Sequence, residues 1–151
     1  MSDDPSHPPG LLRFPTYALG KLHKAVHAEM GMSLREHWVL VYLEEYAELS
    51  QQQVSTALGI DRSEVVRLID GLERDGLVVR TRDAADRRRY RLTATAAGRA
   101  ERRRTDDMIE VAAKRVLRRL DDDEQRTLHR LALKALGEDP SLSDRNRHSA
   151  R

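Results

Sequence analysis

The sequence contains no cysteine. Disulfides, thiolate metal sites and a cysteine-based redox sensor are therefore excluded within the chain. No stretch is apolar enough to span a membrane, and the N-terminus carries no apolar signal core, so a cytoplasmic location is the default expectation. Also missing are a phosphate-binding Gly loop, an activated-Ser motif and a His-Glu metal helix. Carboxylates are plentiful but fall in helix caps and on exposed helix faces. No catalytic residue, no metal site and no cofactor is expected, and the chain does not read as an enzyme. The single tryptophan is Trp38.

What is present is charge. The 151 residues hold 27 Lys and Arg against 25 Asp and Glu, a nearly neutral balance on a chain the size of one domain. The charge is unevenly distributed. Between Arg80 and Arg104 stand ten arginines against Asp83, Asp86 and Glu101, an excess of seven. Glu36, Glu44, Glu45 and Glu48 sit together upstream. A local basic patch on a neutral protein is an electrostatic footprint for DNA, although most charge runs are solvated faces, so its position decides its meaning.

That position lies within Gln51–Gly98, the stretch around which the rest of the chain is organised. Ser50 with Gln53 has capping-box spacing at the start of a short helix. Val54, Ala57 and Leu58 share one face of it, and Gly59 is placed to end it in the left-handed conformation. Asp61 with Glu64 opens a second helix, whose buried stripe is Val65, Leu68, Ile69 and Leu72; Gly76 stops it. Its other face carries Arg62, Ser63, Val66 and Arg67. These side chains can donate to phosphate or guanine or touch a thymine methyl, but taken alone they also suit a solvated helix face. Leu77, Val78 and Val79 then form a strand, Asp83-Ala84-Ala85-Asp86 a polar turn, and Tyr90 to Leu92 a returning strand. Thr95 is placed to cap a long helix. Two helices leading into a two-stranded ribbon make a winged helix–turn–helix, which offers one helix to a major groove and a basic loop to flanking DNA.

The segment DGLVVRTRDAADRRR resembles the wing of the MarR family of bacterial transcriptional regulators. Asp86 and Arg88 match the family's Asp-x-Arg pair, and Thr95 and Gly98 match its Leu-Thr-x-x-Gly. Ala94 stands where the Leu is usual, so looser strand-to-helix packing is expected there. The order of elements agrees over roughly Tyr17 to Leu136; the wing motif is specific and the outer helices are not. The resemblance implies DNA contacts from Gln51, Arg62, Ser63, Val66, Arg67, Arg82, Arg87, Arg88 and Arg89, with Asp86 shaping the wing. It also implies a small-molecule pocket lined by the helix that carries Trp38, and a dimer in which the terminal helices interlock.

The remainder of the chain completes this plan. Residues 1–12 read as a flexible arm with Pro5, Pro8 and Pro9, and 13–32 as the N-terminal part of a dimerisation region, with a helix from about Thr16 to Met30 on the stripe Leu19, Leu22 and Val26. Residues 33–95 form the winged region. Its first helix is expected to start at Ser33, boxed by Glu36, and to turn Trp38, Val39, Tyr42, Leu43 and Tyr46 inward. Residues 96–137 hold two C-terminal dimerisation helices. The first runs to about Leu120 on Met108, Val111, Ala112, Val116 and Leu120. The second is capped by Asp121 with Glu124, striped by Leu128, Leu131, Ala132, Ala135 and Leu136, and ended by Gly137. Residues 138–151 read as a polar tail. The terminal helices carry more apolar surface than one winged unit can cover, and such helices must cover a partner.

The expected fold is therefore mainly α with a small two- to three-stranded β wing. The expected function is a homodimeric, sequence-specific DNA-binding regulator, a repressor released by a small organic effector. Its partners would be a pseudo-palindromic duplex, a second copy and that effector, with no membrane. His37, Trp38 and Tyr42, joined by His23 and His27, are the candidates for the effector site; an aromatic wall plus an imidazole suits an aromatic carboxylate, the class the family resemblance favours. His23 and His27 at i, i+4 could also hold a metal, but zinc wants three or four ligands. A winged-helix protein-interaction module and a metal-linked DNA binder remain as alternatives.

Overall fold

A computed structural model describes residues 7–31, 33–46 and 48–147. The chain divides into two compact units, one ending at Ala112 and the other beginning at Ala113. In the first, α1 (Pro9–Leu12) and α2 (Pro15–Met30) precede α3 (Arg35–Glu45), α4 (Gln51–Leu58), α5 (Arg62–Arg74), β1 (Val78–Arg82) and β2 (Tyr90–Ala94). Helix α6 (Ala96–Val116) follows; α7 (Asp122–Leu136) and a 3-10 helix (Pro140–Arg147) belong to the second unit. The mainly helical architecture with a two-stranded wing agrees with the sequence reading.

Local signals explain most boundaries. Ser50 accepts the Gln53 amide at 3.2 Å and Gln53 accepts the Ser50 amide at 2.8 Å, a complete capping box. Asp61 accepts the Glu64 amide at 2.9 Å at the start of α5. Asp121 and Glu124 form a second reciprocal box at the start of α7. Pro15 occupies the first turn of α2, where its missing amide costs nothing. Gly59 ends α4 at φ +64°, a conformation that suits glycine.

One core organises the first unit. Val39, Leu40 and Leu43 of α3, Val54 of α4, and Val65, Ile69 and Leu72 of α5 pack with Val78, Leu92 and Ala94 of the ribbon. Burying side chains of this size stabilises by ~1.5–3 kcal/mol each, an upper bound because unfolded chains already bury some surface. The ribbon is antiparallel, pairing Val78 with Ala94 and Arg82 with Tyr90. Leu49 adds an isolated antiparallel bridge to Leu92, a one-residue third strand. Ala94, the residue that departs from the usual Leu, is buried to 4% exposure.

Several expectations are corrected. Ser33 does not box α3 with Glu36: the N-cap residue is Leu34, without a side-chain cap, and Ser33 only accepts the Arg35 amide at 3.3 Å. The reason is burial. Leu34 is drawn into the interior while its carbonyl accepts the Trp38 amide at 2.9 Å. Tyr46 does not face inward; α3 ends one residue before it, and with 57% exposure it stacks on Tyr42 at 5.8 Å between centroids. Leu40 takes the core place instead. Ala57 is exposed while Val54 carries the buried face of α4. Helix α6 ends at Val116, because Gln125 Nε2 donates to the carbonyls of Leu117 (3.3 Å) and Leu120 (3.0 Å) and fixes a turn there. The expected arm contains the helical turn Pro9–Leu12, and the expected tail contains the 3-10 helix from Pro140. The remaining parts of both, residues 1–6 and 148–151, lie outside the described residues.

Helix α2 buries none of its residues within the chain, and neither does α7. Phe14, Leu19, Val111, Leu131 and Leu136 are all exposed, Leu136 to 76%.

Candidate nucleic-acid interface

The wing turn is built by its two aspartates. Asp83 Oδ1 accepts the Ala85 amide at 2.8 Å, and Asp86 Oδ1 accepts the Arg88 amide at 3.0 Å. The Asp83 amide donates to the Arg89 carbonyl and the Arg89 amide to the Asp86 carbonyl. These Asx-type bonds replace strand pairing at the tip. Asp86 and Asp83 each accept a backbone amide of the loop two residues on. The Asp83 carboxyl is held below the usual carboxylate range, first by the Ala85 amide and then by the Arg91 guanidinium. The Asp83-x-Ala85 spacing was the available signal for this residue.

An open cleft of about 660 Å³ lies between the wing and the N-terminal ends of α4 and α5. Gln51, Arg62, Arg88 and Arg89, all among the sequence candidates, line it. The cleft also takes in Glu48 and Arg91, which the sequence did not single out. Ser63 and Arg67 are exposed and Val66 half-buried on α5; the Ser63 hydroxyl donates to Asp61 Oδ1 at 2.5 Å. Arg82 and Arg87 are exposed on the wing, and the Arg82 guanidinium lies 5.8 Å from the Tyr90 ring centroid.

Not every arginine in the basic stretch is available to a partner. Arg80 donates to Glu73 at 2.8 Å and Asp70 at 2.5 Å, tying β1 to α5. Arg91 donates to Asp83 at 3.0 Å and pairs with Glu48. Arg102 reaches Asp106 at 3.2 Å, and Arg104 is bidentate on Glu101 at 2.7 and 3.0 Å. Arg89 stands 3.4 Å from Asp86. Arg62, Arg67, Arg87 and Arg88 have no acidic side chain within ion-pair distance among the described residues. These four uncommitted cations sit on the outward face of α5 and on the wing.

The five effector candidates are not brought together as one set. His23 and His27 of α2 lie 4.4 Å apart between ring centroids, and His27 meets Trp38 edge-on at 6.2 Å. His27 Nε2 is buried without a hydrogen-bond partner. Tyr42 donates weakly to the Ala57 carbonyl at 3.4 Å. His37 is buried and bonds to Asp106 of α6 through Nε2 at 3.2 Å. Burial lowers the His37 pKa; Asp106 opposes this and Arg102 adds to it. No group of three or more His, Cys, Asp or Glu side chains that could hold a metal ion occurs among the described residues. None of the helices among these residues is long and apolar enough to cross a membrane.

Residues 30–89 match the MarR family model. A transcriptional regulatory protein named for the hcr operon of Thauera aromatica is 36% identical over 80 residues, 53% of this chain; the chain spans about half (48%) of that relative's length. The PcaV transcriptional regulator of Streptomyces coelicolor, solved with its natural ligand, superimposes with a TM-score of 0.67 at 26% identity, covering 87% of this chain and 97% of that one. A MarR-family transcriptional regulator from Rhodococcus sp. RHA1 gives 0.64 at 29% identity, covering 94% and 96%. With the wing built on Asp86 and the helix after it opened by Thr95 and Gly98, the winged region matches the MarR family, and the chain shares the fold of winged helix–turn–helix transcriptional regulators.

Proposed function

We propose that the chain is a homodimeric repressor that reads duplex DNA with α5, anchors on the flanking backbone with its wing, and lets go when a small organic ligand binds. One observation carries this reading. Arg62, Arg67, Arg87 and Arg88, free of internal acidic partners, lie on the α5 outer face and the wing, while Arg80, Arg91 and Arg104 are paired within the protein. Base edges are read by bidentate Arg contacts in the major groove, and phosphates by cations that release counterions. The α5 face carries the first kind of group and the wing the second.

Self-association is supported by α2 and α7, which have no fully buried residue within the chain, and by the exposed Phe14, Leu19, Leu131 and Leu136. Two copies of α5 about one helical turn apart, ~34 Å, would enter successive major grooves. An effector site is supported by the contacting rings of His23, His27 and Trp38 and by the relative PcaV, solved with its natural ligand. A ligand there would weaken DNA binding only by as much as it prefers the arrangement that mismatches the duplex.

Selection of binding sites from a randomised duplex pool tests the reading together with light scattering. The expected result is twice the chain mass at micromolar concentration and enrichment of an inverted repeat with half-sites about 10 bp apart. A monomer, or a pool that enriches nothing, would overturn it. For the effector, saturable quenching of Trp38 by an aromatic carboxylate should run parallel to release of the selected duplex. Zinc-dependent release in place of this would favour the metal-linked alternative.

A further inference from the structure

Arg91 stands out among the arginines of the wing region because it is committed to two carboxylates from different parts of the chain. Its Nε donates to Asp83 Oδ2 at 3.0 Å, and its Nη1 pairs with Glu48 Oε2. Glu48 lies 43 positions away, in the segment that leads to the Ser50 cap of α4. It is the one non-glycine with positive φ among the described residues, at +65°. That conformation is uncommon for a side-chain-bearing residue and persists where the surroundings hold it. The surroundings here are specific. The carbonyl of the next residue, Leu49, accepts the Leu92 amide at 2.8 Å, so the Glu48–Leu49 pair is stitched to Arg91–Leu92 by one side-chain bond and one backbone bond.

All three members of this cluster line the cleft between the α4 and α5 N-terminal ends and the wing. Two consequences follow. The clamp spans from the segment before α4 to the wing, and so fixes the gap between Gln51 and Arg62 on one wall and Arg88 and Arg89 on the other. It also offsets half the charge of two carboxylates that would otherwise face a polyanion in that gap. The pairing keeps all groups charged at ordinary pH: hydrogen bonds to Asp83 and Glu48 hold the Arg91 pKa above its usual value, and Asp83 is held below its own.

We propose that Arg91 is a positioning residue of the nucleic-acid interface, which clamps Glu48 to Asp83 to set the width and charge of the cleft and does not itself grip the duplex. The inference rests on the DNA-binding reading above, and its test separates the two.

The full-length chain is titrated with a selected duplex at several salt concentrations. Arg91→Gln should weaken binding about tenfold, within what two ion pairs near the surface can supply. Adding Glu48→Gln and Asp83→Asn removes the stranded carboxylates, while the side-chain carbonyl left at position 83 can still accept the Ala85 amide. This triple variant, whose neutral amides can still hydrogen-bond across the same three positions and so hold the gap, should recover most of the lost affinity and keep the wild-type salt slope. A direct phosphate contact behaves otherwise: the triple variant would stay as weak as Arg91→Gln, with a slope shallower by about one unit, and that result overturns the proposal. Hydrogen exchange at the Leu92 amide is read without DNA. Faster exchange in Arg91→Gln, at an unchanged rate in Val78 and Ile69, supports the clamp; unchanged exchange at Leu92 refutes it. A wild-type chain that binds no duplex would sink the DNA reading, while Leu92 exchange would still decide the clamp.

Discussion

Gly98 of α6 rests against the carbonyl of Leu77: a Cβ on Gly98 would lie 2.1 Å from that oxygen and 3.3 Å from Leu40 Cδ2. Thr95 holds the same junction closed. Its amide donates to the Leu77 carbonyl at 3.0 Å, its hydroxyl donates to the Gly76 carbonyl at 2.7 Å, and its Oγ1 accepts the Gly98 amide at 3.0 Å. The Thr and Gly of the family motif are thus one device that docks α6 onto the start of β1. Gly98→Ala should destabilise the fold by about 1–3 kcal/mol, the range for overpacking against atoms that cannot move freely. Urea unfolding of the two chains measures this directly. An unchanged midpoint would mean that the junction is slack.

His37 gives the fold a defined pH response. Its folded pKa lies below the unfolded value near 6.5, chiefly because burial disfavours the imidazolium. The unfolded chain therefore binds the proton more readily, and stability falls as pH drops through 6.5 toward the folded pKa. Above that window the group contributes no pH dependence. His37→Gln keeps a donor for Asp106 but cannot titrate. The fall in melting temperature on going from neutral to mildly acidic buffer, across that window, should be smaller in His37→Gln than in the wild type. An equal fall would assign the response to other groups.

The wing arginines should behave as phosphate anchors. Arg87→Ala and Arg88→Ala are each expected to weaken selected and scrambled duplexes alike and to flatten the salt slope by about one unit. Arg88 anchors the loop through its backbone amide, which bonds to Asp86, so removing its side chain leaves the wing's shape intact. A loss confined to the selected duplex would show instead that the wing reads sequence.

Much of this organisation was legible in the sequence because it rests on local rules. Ser50 with Gln53, Asp61, and Asp121 with Glu124 cap their helices through bonds between residues three apart. The stripe of α5 follows from helical period, and Val65, Ile69 and Leu72 are buried as it required. What escaped depends on tertiary contact. Ser33 lost its capping role to the burial of Leu34, and Tyr46 left its stripe because α3 ends before it. Within the cleft, Gln51, Arg62, Arg88 and Arg89 were legible from their position in the winged pattern. Glu48 and Arg91 were not, since nothing local marks a pair 43 residues apart. Counting charge along the chain treated all ten arginines from Arg80 to Arg104 alike, whereas the fold commits Arg80, Arg91 and Arg104 to acidic partners.

The division of labour between α5 and the wing is tested most directly by competition binding with Arg62→Ala/Arg67→Ala, using a duplex selected by the wild type and a scrambled one of equal length. The wild type should prefer the selected duplex by ~10³-fold or more at physiological salt. The double variant should lose about 1–3 kcal/mol of that preference for each base contact removed and still bind both duplexes through the wing. A double variant that discriminates as sharply as the wild type would contradict the reading role of α5.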